Sequence, residues 1–132
     1  MTDIEKAREF FGKDNYATVA SGIQIDEIGE HYSKCSMKIT DNHKNAYGGV
    51  MGGAIFTLAD FTFAVATNFN APHTVSVTSQ INFLSMAKGK CLFAESNLIK
   101  DGRTCCFYSV SITDELGTKV AFVTLTGMKL TK

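Results

Sequence analysis

The sequence has no net charge and no cluster of basic residues. Its 13 Lys and Arg side chains balance 13 Asp and Glu side chains over 132 residues, and 45% of the residues are hydrophobic. No arginine-rich or lysine-rich run supplies the local positive charge that nucleic-acid binding needs. The balance therefore argues against a nucleic-acid-binding protein, and the length predicts a single domain over residues 1–132.

The middle of the chain also lacks charge. Between Asn45 and Ala87 the only formally charged side chain is Asp60, although 20% of all residues are charged. Acidic residues outnumber basic ones before this stretch, and basic residues outnumber acidic ones after it. The zero total thus hides an acidic start, a basic end and an uncharged middle with one carboxylate.

Neither a membrane anchor nor a secretion signal is predicted. The run 46–69 is long enough to cross a bilayer, but it contains glycines, polar residues and Asp60 near its centre, where a charge is costly. The first residues of the chain lack the apolar stretch of a signal peptide. We therefore expect a buried helix in a cytoplasmic protein without a membrane partner.

The cysteines lack the Cys-x-x-Cys spacing of a metal or redox site. They are Cys35, Cys91, Cys105 and Cys106. Adjacent side chains of a strand point to opposite faces, so Cys105 and Cys106 cannot share a metal ion. We expect small buried thiols and no metal site.

A capping box predicts a short helix at the start of the chain, and apolar periodicity predicts a β-hairpin after it. Thr2 and Glu5 fit a capping box, which predicts a short helix that ends near Phe11. Apolar residues alternate over 21–28 and 31–39, which predicts two strands separated by a tight turn.

The uncharged middle predicts a glycine-rich loop at 47–53 and a helix over 54–69 that is apolar on nearly every side. Such a helix must be surrounded by protein. Strand-like runs follow at 74–84, 90–100, 104–113 and 118–130, with Val75, Val77, Ile81 and Phe83 expected on one face of the first. This order predicts an α+β fold in which a curved antiparallel sheet of five to six strands wraps around the long helix.

Two features of the middle segment point to chemistry. Gly52 and Gly53 lie where the loop becomes the helix, and amides at a helix N-terminus can hold a phosphate or polarise a carbonyl oxygen. Tight packing of helix against strand explains the glycines equally well. Asp60 lies two turns later, where a carboxylate is costly unless it has donors or faces a cleft. A general base, a nucleophile and a structural Asp all remain open.

The remaining polar residues give weaker signals. Taken alone, Asn45 fits a turn and Ser76 fits a polar strand face. The histidines His31, His43 and His73 lie in loops or at the edges of elements, where we expect them in solvent. No Ser or Cys nucleophile is placed to form a triad with them.

The basic residues near the C-terminal end cluster at two predicted turns. Lys88 precedes one strand, while Lys100 and Arg103 flank the turn after it. Surface solubility accounts for them, and contact with the phosphates of an anionic ligand is the alternative.

The segment 45–60 resembles the motif of a known enzyme family. It reads Asn45-Ala-Tyr-Gly-Gly-Val-Met-Gly-Gly-Ala-Ile-Phe-Thr-Leu-Ala-Asp60. It is similar to the hotdog-fold acyl-CoA thioesterases of the PaaI-like, phenylacetate-pathway type, which are related to 4-hydroxybenzoyl-CoA thioesterase. That pattern has Asn, a glycine three residues on, His-Gly-Gly and then Leu-Ala-Asp, and the likeness continues over most of the chain.

The resemblance implies a hotdog fold, edge-to-edge homodimers that often form tetramers, and active sites at the dimer interface. It implies that the Gly52 amide binds the thioester carbonyl and that Asp60 activates water or attacks directly. Asn45 would position the thioester or the water, and Ser76 would support the reacting groups. The implied substrate-binding residues are Tyr47, Met51, Gly53, Phe83, Lys88, Lys100 and Arg103. Coenzyme A thioester would be the substrate, with no further cofactor.

Met51 stands where the family has the His of His-Gly-Gly. Methionine lacks the hydrogen bonds of an imidazole. Two hypotheses follow: an acyl-CoA thioesterase that acts through Asp60 and Gly52, or a non-catalytic acyl-CoA binding or regulatory protein on the same fold. Thioester hydrolysis separates them.

Overall fold

A computed structural model describes residues 1–130 as one six-stranded sheet with a long central helix and a short N-terminal helix. The elements are α1 (Asp3–Phe11), β1 (Ile23–Gly29), β2 (Tyr32–Lys38), α2 (Gly52–Asn68), β3 (Thr74–Phe83), β4 (Cys91–Asp101), β5 (Cys105–Asp114) and β6 (Lys119–Lys129). A π-helical turn (Tyr16–Ala20) precedes β1, and a 3-10 turn (Asp41–His43) follows β2. The strand order is β1-β2-β4-β5-β6-β3, with all neighbours antiparallel. The predicted α+β class and element order are confirmed.

Helix α1 begins and ends where its sequence predicts. The Thr2 hydroxyl accepts a hydrogen bond from the Glu5 amide at 3.3 Å, and the helix ends at Phe11. Arg8 then fixes the helix to the sheet, because its Nε and Nη2 both donate to the carbonyl of Ile25 at 3.0 and 2.8 Å. This contact holds α1 beside the edge strand β1.

Helix α2 packs against all six strands, which a single helix can do only if the sheet curves around it. Leu58, Ala59 and Val65 have no exposed surface. Phe63 packs edge to face on Tyr108, with 5.5 Å between ring centroids. Burial of one such aromatic side chain contributes about 1.5–3 kcal/mol to folding. Within residues 1–130, no helix combines the length and apolar character needed to cross a bilayer.

One stripe of α2 is not covered by its own chain. Gly53, Thr57, Asp60 and Ala64 are exposed or half-buried, and their spacing of three and four residues puts them on one face. The helix is therefore enclosed on most sides, as its composition predicts, and the open stripe carries its single carboxylate.

Strand β3 lies at one end of the sheet and pairs only with β6 among the described residues. The polar groups on its other edge face outward over ten residues. Two of its large apolar side chains, Val77 and Phe83, are 52% and 55% exposed. A long unpaired edge with exposed apolar residues is a site for pairing with another strand.

The predicted alternation of β3 is wrong in its first half, because a β-bulge interrupts it. Ser76 pairs with Gly127 and Thr78 pairs with Thr126, so Val77 is the extra residue. Directly paired residues share a face of the sheet. Val75 therefore lies on the outer face beside Met128, whereas Ser76 shares the helix-facing side with Ile81 and Phe83.

All four cysteines are free thiols. Cys35 and Cys106 are buried, and Cys91 and Cys105 are half-buried. Burial raises the pKa of Cys35 to about 11, so this thiol stays protonated at neutral pH. The predicted small buried thiols are confirmed for Cys35 and Cys106.

Candidate active site

The N-terminus of α2 leaves its first amides free. Met51 is the N-cap residue, and its side chain makes no capping hydrogen bond. Its carbonyl accepts from the Ala54 and Ile55 amides at 3.0 and 3.2 Å. Among residues 1–130, the Gly52 and Gly53 amides have no acceptor. This terminus can therefore donate hydrogen bonds to a negatively charged or polarised oxygen.

A short ladder of hydrogen bonds shapes the loop before α2. The Met51 amide donates to the His43 carbonyl at 2.8 Å, Lys44 and Val50 form a bridge, and the Asn45 amide donates to the Gly49 carbonyl at 2.7 Å. We call residues 43–51 the pocket loop. Its tip uses the left-handed conformation of Gly48, with φ of 86°.

Asn45 organises the tip of the pocket loop. Its Oδ1 accepts from the amides of Tyr47 and Gly49 at 2.9 and 3.2 Å. The side-chain oxygen is therefore occupied, and the side-chain NH2 group is what Asn45 can offer to a ligand.

A pocket of about 520 Å³ opens between the pocket loop and the segment that follows β3. It is lined by Asn45, Tyr47, Gly49, Val50, Gly52, Ile55, Phe83, Leu84, Ser85, Met86 and Ala87. The Phe83 ring lies against the start of α2, since a Cβ added to Gly52 would be 2.9 Å from its Cζ. Gly52 thus permits a close approach of this ring, whereas a Cβ at Gly53 would meet no atom within 4 Å.

A single buried carboxylate, that of Asp114, holds the end of the segment that forms the other wall of the pocket. Asp114 Oδ2 accepts from the amides of Lys88 and Gly89 at 2.8 and 2.9 Å, and its Oδ1 accepts from those of Leu116 and Thr118. Burial opposes ionisation, but these amides outweigh it and hold the pKa of Asp114 well below its usual range. Sequence reasoning missed this role of Asp114, because its partners at 88 and 89 are distant in the chain.

Asp60 lies on the open stripe of α2 without a hydrogen-bond partner among the described residues. Burial raises its pKa, and the nearby charge of Asp14 raises it further. A half-buried carboxylate with no donor among residues 1–130 is available to accept a proton or to act as a nucleophile.

Asp60 and Gly52 are too far apart to act on one bond within a single chain. Eight helical residues separate them by about 12 Å along the axis and by about 80° around it. Reacting groups must lie within about 3–3.5 Å of the atoms they act on. If both groups act on one bond, each copy of the chain therefore supplies two half-sites, one at Gly52 and one at Asp60.

The other predicted site residues divide between the two ends of the sheet. Lys88 follows the pocket wall and pairs through its amide with Asp114, at the start of β4. Lys100 and Arg103 lie at the far end of β4, whose 11 residues span about 36 Å. Ser76 is exposed near the C-terminal end of α2. The structure brings Asn45, Tyr47, Met51, Gly52, Gly53 and Phe83 together, with Lys88 beside them.

The expectation that all three histidines lie in solvent is wrong for His43. Its side chain is packed under the pocket loop, and the residue is 6% exposed. His31 is half-buried, with its Nε2 3.7 Å from carboxylate oxygens of both Glu30 and Asp101. His73 is exposed, as predicted. A position in a loop does not reveal burial when other parts of the fold cover that loop.

Most of this chain matches a described protein family and a named enzyme. Residues 15–128 match the protein family described as a domain of unknown function (DUF4442). Acyl-coenzyme A thioesterase 13 of Homo sapiens is 32% identical over 118 residues, which are 85% of this chain and 78% of that protein.

Solved structures share the fold over almost the whole chain. The PaaI protein from the phenylacetic acid degradation operon of Escherichia coli superimposes with a TM-score of 0.89 at 22% identity, covering 98% of this chain and 94% of that one. A hypothetical thioesterase of Streptococcus pneumoniae TIGR4, crystallised with coenzyme A, gives a TM-score of 0.85 at 25% identity, covering 95% and 98%. This chain therefore belongs to the hotdog-fold family of acyl-CoA thioesterases, which are thioester hydrolases.

Proposed function

We propose that this protein hydrolyses aryl- or acyl-CoA thioesters at sites shared between two subunits of a homodimer. The observation that carries the proposal is the separation of the two half-sites. A free helix N-terminus lines an apolar pocket, and an unpartnered carboxylate lies about 12 Å further along the same helix. A second copy of the chain brings the two half-sites together.

The unpaired edge of β3 supports this dimer. Two-fold pairing of β3 with its copy is antiparallel, so the start of one strand lies beside the end of the other. In each subunit the start of β3 contacts Asn68 at the C-terminal end of α2, and Phe83 at its end contacts Gly52. The pairing therefore brings the C-terminal half of one α2 alongside the N-terminal half of the other. We propose that the open stripe of one helix then meets the N-terminus of the other. Two such dimers would give the tetramer that the family resemblance implies.

In this proposal two groups carry out hydrolysis: the Gly52 amide of one subunit and the Asp60 carboxylate of the other. The Gly52 amide donates to the thioester carbonyl oxygen and binds it more strongly as negative charge develops there. The partner subunit's Asp60 removes a proton from water as the water attacks the carbonyl carbon. The C–S bond breaks, the CoA thiolate takes that proton, and a carboxylic acid leaves. In the alternative, Asp60 attacks the carbonyl carbon and expels the CoA thiolate, which leaves an acyl-enzyme anhydride that water then cleaves. Attack of that water on the Asp60 carbon puts ¹⁸O into the carboxylate of Asp60 in a single turnover in H₂¹⁸O, a label that the general-base route cannot give.

We assign the remaining candidate residues to the acyl end and to the coenzyme A end of the substrate. Phe83 and Tyr47 border the apolar pocket that receives the acyl group, and the free amide of Asn45 faces the reacting thioester. Lys88 lies beside this pocket, whereas antiparallel pairing carries Lys100 and Arg103 of the second subunit toward it. We propose these cations as contacts for the phosphates of coenzyme A, and Ser76 as a support for the reacting groups.

A second candidate function is acyl-CoA binding without turnover. Met51 favours it, because its side chain makes no hydrogen bond at the N-cap. Saturable binding of an acyl-CoA with no release of thiol would establish this function instead.

Replacement of Asp60 by Asn tests the proposal. Thiol release from phenylacetyl-, benzoyl- and fatty acyl-CoA should fall by about 1,000-fold or more, because such a group supplies several kcal/mol of transition-state stabilisation. Binding of the acyl-CoA should remain. The raised pKa of Asp60 also affects stability, because the folded protein favours the protonated carboxyl more than the unfolded chain does. The fold therefore loses stability as the pH rises past the ordinary Asp pKa and this carboxyl ionises. Asp60→Asn cannot ionise, so it should raise Tm at neutral pH. Undiminished hydrolysis by this variant would rule out the role of Asp60.

Asp14→Asn is the matched control for this experiment. It removes the neighbouring charge that helps to raise the pKa of Asp60, so the acid limb of kcat/KM should move to lower pH. The plateau rate should stay near that of the wild type. An acid limb that does not respond would show that Asp60 is not the group that titrates.

A further inference from the structure

His43 is the one buried histidine of the described chain, and the proposed mechanism does not use it. Its Nδ1 lies 3.0 Å from the Thr40 amide nitrogen, and its Nε2 lies 2.8 Å from the Ser21 carbonyl oxygen. A backbone N–H can only donate, so Nδ1 is the acceptor and carries no proton. The Nε2–H therefore donates to Ser21, and both bonds together fix one neutral tautomer.

His43 also forms the base of the pocket loop. Its carbonyl accepts from the Met51 amide, and the ladder continues through the Lys44–Val50 bridge to the tip at Asn45. Met51 is the N-cap residue of α2. Any shift of His43 is therefore transmitted both to the pocket wall and to the residue that precedes the Gly52 amide.

The imidazole ties this ladder to the rest of the fold. Among the hydrogen bonds of residues 1–130, the bond from His43 to Ser21 is the one that joins the pocket loop to the chain before Thr40. Ser21 ends the π-helical turn just before β1, and it is buried. The Ser21 carbonyl thus gives the loop a rigid attachment point in the core.

We propose that His43 is a positioning residue of the thioesterase site: its imidazole holds the pocket loop, and through it the N-terminus of α2, in the geometry that binds the oxyanion. The expected effect on kcat rests on the proposed function, because it requires that the protein hydrolyse a thioester. The structural part of the inference, the attachment of the loop through Ser21, stands without that function. An oxyanion donor acts in the transition state, so misplacing it lowers kcat more than it raises KM.

Two substitutions separate the two bonds of the ring. The amide nitrogen of Gln reaches close to the position of Nε2 and can donate to Ser21, whereas the side chain of Asn reaches only to Nδ1 and can accept from Thr40. If the bond to Ser21 is the attachment, His43→Gln should keep kcat within about threefold of wild type, and His43→Asn should lose about 30-fold or more. The exposed His73→Ala is the control and should leave kcat and KM unchanged.

Amide hydrogen exchange of the peptide that spans 43–52 gives a readout independent of catalysis. Exchange should become faster in His43→Asn than in His43→Gln, while the strands of the sheet keep their wild-type protection. Equal kcat and equal exchange in both variants would overturn the inference. Wild-type protein that exchanges as expected but hydrolyses no thioester would refute the proposed function and leave the attachment through His43 supported.

Discussion

The two ends of helix α2 differ in their hydrogen bonding: a side chain ties the C-terminal end to β3, and the first amides of the N-terminal end are left free. At the C-terminal end, Asn68 donates to the carbonyls of Ala64 and Thr74 at 2.9 and 3.1 Å, and the Thr74 amide donates back to its Oδ1 at 2.8 Å. At the N-terminal end, Met51 provides no side-chain cap, and the amides of Gly52 and Gly53 remain free.

The difference separates a structural end from the end to which we assign oxyanion binding. The Asn68 side chain ties the last turn of α2 to the start of β3, which stabilises the fold, whereas leaving the first amides open costs some stability. The same open amides can bind a developing negative charge, which a capped terminus cannot do. The uncapped end also borders the apolar pocket, whereas the capped end meets the buried start of β3.

The largest effect is expected at Gly52. A Cβ there would lie 2.9 Å from the Phe83 ring, so Gly52→Ala must displace the ring from the helix N-terminus. The Gly52 amide itself remains, but we expect kcat/KM for acyl-CoA to fall by about 100-fold, because the Cβ and the displaced ring shift the bound thioester relative to this amide. Gly53→Ala is the matched comparison, since its Cβ meets no atom within 4 Å. A larger loss in Gly53→Ala would contradict the importance of the Phe83 contact.

A smaller effect, on stability, is expected at the other end. Asn68→Ala leaves the buried Thr74 amide without an acceptor and should cost about 2–3 kcal/mol in the free energy of unfolding. Urea denaturation at one fixed protein concentration measures it. Asn68→Asp keeps the acceptor, but it sets a carboxylate oxygen against the Ala64 and Thr74 carbonyl oxygens at the negative end of the helix dipole, so it should cost at least as much. A strong loss of kcat in either folded variant would show that this end is not purely structural.

The smallest effect is expected from capping the open end. In Met51→Ser the hydroxyl can accept from the Gly53 or Ala54 amide, which should stabilise the fold by about 1 kcal/mol. The Gly52 amide stays free, so kcat should change by less than about threefold if Gly52 alone binds the oxyanion. Met51→Leu is the uncapped control for lost side-chain contacts. A large drop in kcat confined to Met51→Ser would assign the second amide a part in catalysis.

The local patterns of the sequence were sufficient for most of the fold. Thr2 and Glu5 predicted the start of α1, because capping depends on residues only three apart. The apolar composition of 54–69 predicted a central helix, since such a surface must be enclosed wherever the other elements lie. The isolation of Asp60 in an uncharged stretch also made it a candidate site residue on sequence alone.

The features that the sequence did not predict lie where distant parts of the chain meet. His43 is buried because Ser21, 22 residues earlier, lies against it. Asp114 holds the amides of Lys88 and Gly89 from 26 and 25 residues away. The bulge at Val77 depends on its register with β6, which alternation within one strand does not reveal.

The sequence by itself determined the elements and their order and showed Asp60 as an isolated carboxylate, because hydrophobic periodicity and isolated charge are properties of neighbouring residues. Only the tertiary structure decided how those residues can work together. It separates Gly52 from Asp60 along a rigid helix, leaves the edge of β3 unpaired among residues 1–130, and fixes the pocket loop through His43. These are distances and contacts between parts of the chain, and packing in three dimensions sets them.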